Sequence, residues 1–171
     1  MTVSISRQEA VSRFKSHFRT LPTLGVRAPG RVNIIGEHTD YNHGFVLPMA
    51  IERDTVIVAR PLDAPIIRAC AANLNRVAEA PLDRFERNPA EPWLDYIVGV
   101  ARELALLGRP LYGAEMMILG DVPVACGLSS SASLEMAALC LFEQLGGFTL
   151  EGPEAPRLGQ RVENDFLGLS T

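Results

Sequence analysis

A chain of 171 residues, 47% of them apolar, has enough material for one domain around a real hydrophobic core. Its 14 Gly, 12 Pro and 21% charged residues exclude disorder and collagen-like repetition. A net charge of −4 argues against a large nucleic-acid footprint, so any phosphate bound here must be held by local backbone geometry rather than by bulk charge.

In chain order, Ser6-Arg7-Gln8-Glu9 forms a capping box. Val11, Phe14 and Phe18 follow at helical spacing, predicting a helix to about His17 that Pro22 stops. Leu24 to Arg27 is a short strand candidate. Phe45 to Ile51 and Asp54 to Arg60 are rich in β-branched and aromatic residues, and predict two antiparallel strands joined near Glu52-Arg53. Ile66 to Ala69 and Arg76 to Ala78 are weaker strand candidates. A helix is expected from Trp93 to about Leu107, ended by Gly108. Tyr112 to Leu119 reads as a strand, and Asp121 to Leu128 as a loop.

Ser133 or a neighbour caps the next helix. Its apolar residues Leu134, Ala137, Ala138, Leu141, Phe142 and Leu145 share one face, and Gly146-Gly147 ends it. A last helix begins after Pro153, with Leu158, Val162 and Phe166 on one face. Strands come mostly before helices, so the expected class is α+β: one mixed sheet with helices packed on one face. Cys70, Cys126 and Cys140 form no CxxC pair and no disulfide framework, which suits reduced packing thiols in a cytoplasmic protein. The N-terminus has no apolar signal core. The richest apolar run, Met136 to Phe142, is far shorter than a membrane span, so no membrane partner is expected.

Two segments carry chemistry. Residues 28–48, APGRVNIIGEHTDYNHGFVLP, place Arg31, Asn33, Glu37, His38, Asp40, Tyr41 and Asn42 in one glycine-kinked stretch between apolar runs. Polar groups this dense suit the binding of a polyhydroxylated ligand. Arg31 brings a fixed positive charge to a substrate hydroxyl, and the carboxylates and His38 bring acceptors and mixed donors. The alternatives are a hydrogen-bonded turn and a metal site. The spacing of Glu37, His38, Asp40 and His43 does not match a helical HExxH site. The second segment is GLSSSAS at 127–133, ahead of a strong helix. Small residues let backbone N–H groups approach phosphate oxygens, and the helix start adds partial positive charge. One of Ser129, Ser130 and Ser131 can also offer a hydroxyl to Mg2+. No Gly-Lys-Ser/Thr follows, so this is not a Walker A loop; the alternative is an ordinary loop with a Ser N-cap.

Together the two segments have a specific likeness. PGRVNIIGEHTDYNHGFVLP resembles the galactokinase signature. PVACGLSSSAS resembles the nucleotide loop of the wider family of galactokinase, homoserine, mevalonate and phosphomevalonate (GHMP) kinases, and Trp93 to Gly99 is similar to the galactokinase W-x-x-Y-x-x-G stretch. Order and spacing agree from about residue 24 to residue 168.

The resemblance implies ATP-dependent phosphorylation of galactose at its anomeric hydroxyl, with Mg2+. It implies that Arg31 assists the attacking hydroxyl and that Glu37, His38 and Asp40 bind galactose. Gly127, Leu128, Ser129, Ser130 and Ser131 would form the phosphate loop, and Trp93 part of the adenine surround. Ser130 and Glu163, in VENDF, would be the Mg2+ ligands. Cys126 stands where the family usually has a further glycine. Family members also continue beyond the VENDF-like segment into a G-I-M-D stretch with a catalytic aspartate, and into a ferredoxin-like second domain. The expectation is therefore a single N-terminal domain over 1–171, truncated at its C-terminal edge and lacking both. It would be a fragment of a galactokinase, or else a non-catalytic galactose and ATP sensor or an inactive remnant. A sister kinase acting on N-acetylgalactosamine is a nearer alternative.

Overall fold

The structure is a computed structural model that describes residues 5–36, 44–123 and 127–169. Helix α1 spans Arg7–Phe18. The Ser6 hydroxyl caps it by accepting from the Glu9 N–H at 3.1 Å. Glu9 does not close the expected capping box; its carboxylate pairs with Arg13 one turn on. Strand β1 runs from Leu24 to Ile35, much longer than the expected Leu24 to Arg27. Residues 28–35 of the polar segment are therefore strand. Pro29 is tolerated there because β1 is an edge strand with a free N–H side.

Strand β2 is a single strand, Leu47–Leu62, where two strands and a turn were predicted. The register explains the difference. Pro29 pairs with Asp54 and Arg31 with Ala50, so one residue of β1 faces three of β2. Glu52 and Arg53 lie in this bulge rather than in a turn. Neither residue favours the left-handed conformation that a tight hairpin turn requires, and a bulge accommodates both at the cost of a kink.

Strands β3 (Ile66–Ala71) and β4 (Arg76–Pro81) form a hairpin. Helix α2 (Pro92–Leu106) then leads to β5 (Gly113–Gly120), which inserts between β2 and β3. The sheet order is β1-β2-β5-β3-β4, antiparallel except for the β3–β5 pair, so the sheet is mixed as expected. Helix α3 (Ser130–Gly146), helix α4 (Glu154–Arg161) and a π-helical turn (Val162–Leu167) complete the described chain.

Side-chain alternation along the strands builds two cores. Ile57, Ile67, Ala69 and Met116 face α2, α3 and α4, together with Ile97, Leu104, Leu141, Phe142 and Leu158. Their neighbours Val58, Cys70, Met117 and Leu119 face the other way, onto Ala10 and Phe14 of α1. The packing of helices on one face thus holds for α2, α3 and α4, while α1 takes the opposite face. Sequence periodicity shows that α1 buries a stripe but not which side of the sheet receives it. Burial raises the thiols of Cys70 and Cys140 above their ordinary values; Cys126 lies outside the described residues. Among the described residues no helix is long and apolar enough to cross a membrane.

Candidate active site

The sugar-like segment and the phosphate-like loop meet through the backbone. The Arg31 N–H donates to the Leu128 carbonyl at 3.2 Å. Gly30 permits the approach: a Cβ there would stand 3.0 Å from that carbonyl oxygen, 3.0 Å from Val122 and 3.2 Å from Ile51. The glycine of PGR is thus a point of closest contact between β1 and the loop. Glu37, His38 and Asp40 lie outside the described residues.

The loop enters α3 through two left-handed residues, Gly127 at φ +69° and Ser129 at φ +56°. Ser129 is the N-cap, and its side chain makes no capping bond. The expected cap, Ser133, sits inside the first turn and is buried. Its hydroxyl donates to the Ala28 carbonyl at 2.9 Å and shares a hydrogen bond with the Thr55 hydroxyl at 2.8 Å. Ser133 therefore stitches α3 to β1 and β2 at the Ala28–Thr55 pair. Sequence reading missed this role because Ser at a helix start usually signals a cap.

The first turn of α3 opens on a cleft of about 510 Å3 between the sheet end and α2. Ser130 and Ser131 line it beside Trp93, Tyr96, Leu74 and Leu134. A second hollow of about 520 Å3, between α1 and β1, includes none of the loop residues and stands apart from this chemistry. Trp93 is fixed at one edge, its indole N–H donating to Glu91 at 2.6 Å. The Arg76 guanidinium, together with that indole N–H, holds the Glu91 carboxyl below its ordinary value.

Glu163 comes to the loop on the π-helical turn. Its carboxylate accepts from the Ser131 hydroxyl at 2.8 Å. Ser131, rather than Ser130, is thus the serine bonded to it. The turn packs closely against α2 at Gly99, where a Cβ would stand 2.6 Å from Val162 and 2.9 Å from Phe166. The π geometry shifts this face by one residue relative to a regular helix, a common device at functional sites that sequence periodicity does not reveal.

Glu135, a residue not singled out from sequence, lies behind the loop at 1% exposure. Among the described residues its Oε1 has no hydrogen-bond partner. Burial and the negative charge of Glu163 push its carboxyl up to about 8. The Tyr96 hydroxyl is raised by burial and then by Glu163 and Glu135. Glu135 reads in sequence as a charged residue between Leu134 and Met136, and only the packing of α3 against α4 and the sheet shows it to be internal.

Oxygen donors at Ser130, Ser131 and Glu163 suit a hard divalent cation that completes its shell with phosphate oxygens and water. Among the described residues no group of three or more His, Cys, Asp or Glu forms an all-protein metal cage. The arrangement offers a backbone cradle for phosphate, an acidic face for a cation, an aromatic wall, and an arginine strand hydrogen-bonded to the cradle.

Known proteins resemble this chain in sequence and in fold. Residues 12–61 match the galactokinase galactose-binding signature, and residues 95–171 match the GHMP kinases N terminal domain. A galactokinase of Roseiflexus sp. (strain RS-1) is 46% identical over 161 residues, which are 94% of this chain and 41% of that protein. A galactokinase of Chloroflexus aggregans is 45% identical, over 91% of this chain and 40% of that protein. The chain thus spans about two fifths of the length of the curated relatives it matches. The crystal structure of Lactococcus lactis galactokinase complexed with galactose superposes with a TM-score of 0.86 at 35% identity, over 94% of this chain and 42% of that one. A mevalonate kinase structure shares the fold, with a TM-score of 0.73 at 24% identity. With two family models matched in order along one chain and its fold shared with the galactose-bound enzyme, the chain belongs to the GHMP kinase family and matches the N-terminal part of galactokinases.

Proposed function

We propose that residues 1–171 form the galactose- and ATP-binding domain of an enzyme that transfers the terminal phosphoryl group of ATP to the anomeric hydroxyl of galactose. The observation that carries this reading is the hydrogen bond from the Arg31 N–H to the Leu128 carbonyl, because it sets the sugar-binding strand against the phosphate loop. Phosphoryl transfer depends on such positioning more than on covalent chemistry by the protein.

In this reading Glu37, His38 and Asp40 hold the sugar hydroxyls. Arg31, whose own N–H makes the loop contact, brings positive charge to the attacking oxygen and stabilises it as its proton leaves. The backbone of Gly127, Leu128, Ser129, Ser130 and Ser131 receives the phosphates at the start of α3. Trp93 and Tyr96 wall the cleft for the nucleobase and exclude water from one side. Ser130 and Glu163 would hold Mg2+, whose chemistry is to neutralise charge on the phosphate oxygens. Ser131 keeps the Glu163 carboxylate turned toward the loop.

The test is galactose-dependent ADP release by the 171-residue chain and by the full reading frame that contains it, each with Arg31→Ala as control. Turnover that falls by orders of magnitude in the variant, with the fold intact by circular dichroism, supports the assignment. Unchanged turnover in Arg31→Ala would sink it. Saturable binding of galactose and ATP without turnover by the short chain would instead favour a binding module. A parallel assay with N-acetylgalactosamine separates the two sugar specificities.

A further inference from the structure

A hydrogen-bonded relay reaches the cleft from the solvent side. Glu91 stands at the N-cap of α2, yet its side chain makes no capping hydrogen bond. The Leu94 N–H is already satisfied by the Glu91 backbone carbonyl at 2.9 Å, which leaves the carboxylate for other partners. One oxygen, Oε1, accepts from the Arg76 guanidinium of β4, with Nε at 3.1 Å. The other, Oε2, accepts from the Trp93 indole N–H at 2.6 Å. The Glu91 side chain is 13% exposed and that of Arg76 is 53% exposed, so the carboxylate is sheltered between a solvated cation and the ring.

An aromatic side chain that lines a cleft must lose rotamer freedom when a flat ligand packs against it. Tying the indole N–H to a fixed acceptor removes that freedom beforehand. The acceptor is itself fixed, because the guanidinium occupies its other oxygen. Resting on the nucleotide reading of the cleft, we infer that Glu91, braced by Arg76, is a positioning residue that presets the plane of the Trp93 indole for a purine base. It touches no substrate itself and acts through the ring.

Trp93 is the single tryptophan of the 171-residue sequence, so its emission reports on this ring alone. The experiment titrates the chain with Mg-ADP, followed by that emission and by calorimetry. A second titration uses magnesium tripolyphosphate, which carries phosphates and no base. Glu91→Ala should weaken Mg-ADP about 2- to 10-fold, the range expected when one side chain must be ordered on binding. Tripolyphosphate affinity should stay unchanged. Glu91→Gln keeps an acceptor for the indole N–H and should restore most of the loss, and Arg76→Met should fall between the two. Wild-type Mg-ADP affinity in a folded Glu91→Ala overturns the inference. Equal loss of both ligands also overturns it, because that pattern marks general damage to the start of α2. If the wild-type chain shows no saturable Mg-ADP binding while its fold is intact, the nucleotide reading itself fails and takes the relay with it.

Discussion

The two faces of the sheet are built by opposite means. One face is sealed by α2, α3 and α4 over a continuous aliphatic and aromatic core. The other, among the described residues, carries α1 alone, whose Ala10 and Phe14 cover the middle of the sheet. Beyond α1 that second face is bridged by charge. Arg60 of β2 pairs with Glu115 of β5 at 2.8 Å, Glu115 pairs with Arg68 of β3 at 2.9 Å, and Arg68 pairs with Glu79 of β4. Each member faces its cross-strand neighbour, so the ladder follows the register across four strands. Where a helix covers the sheet, dispersion and apolar burial hold it; where water reaches the sheet, cross-strand charge does.

The buried polar residues of the helix-covered face belong with this contrast. Ser133 and Glu135 occupy a region that apolar packing alone would fill, and both lie on the first turns of α3 next to the phosphate loop. Elsewhere on this side the buried charges Asp95 and Glu103 of α2 have their own partners, Asp95 accepting from the Asn88 N–H and Glu103 pairing with Arg102 and Arg161.

Three substitutions test the contrast, from the largest expected effect to the smallest. Phe142→Ala removes a ring at 1% exposure from the sealed face and should cost about 3–5 kcal/mol of unfolding free energy in a urea titration. A loss below about 1 kcal/mol would mean that this face is not held by close packing.

Glu135 gives a pH signature. Its carboxyl titrates near 8 in the folded chain, against an ordinary value of 4.5, so between these values the native state keeps a proton that the unfolded chain has released. Stability should therefore fall as pH rises through this window, by up to about 1.4 kcal/mol per pH unit from this group. Glu135→Gln should flatten the slope and raise the melting temperature at pH 8; an unchanged slope would place the group's charge elsewhere. On the open face, Glu115→Ala strands two half-exposed arginines and should cost about 1–2 kcal/mol, an effect smaller than in a dry interior because water reaches them. A cost equal to that of Phe142→Ala would erase the distinction between the faces.

Much of this was legible in the sequence. The capping serine of α1, the apolar stripe of α3, the span of α2 and the Gly-Ser loop all follow local rules, and local rules are what a sequence displays. The bulge at Glu52-Arg53 was not legible, because a bulge is defined by its partner strand and carries no composition of its own. The π-helical turn was hidden for a similar reason: Leu158, Val162 and Phe166 keep helical spacing across it. In the site, the roles of Trp93 and Glu163 came from resemblance to a family. The hydroxyl of Ser133 and the buried carboxylate of Glu135 depend on packing between distant segments, which spacing along the chain does not encode.

The insertion of β5 between β2 and β3 has a consequence for synthesis on the ribosome. Strand β2 ends at Leu62 and β5 begins at Gly113, so β2 and β3 emerge long before the strand that joins them. At roughly 5–20 residues per second, an edge of β2 waits some seconds without its partner. During that wait the β1–β2 pair and the β3–β4 hairpin are separate pieces with open edges, and self-association competes with folding. The central strand acts as a late keystone, and a slow stretch of translation between Leu62 and Gly113 would lengthen the exposure.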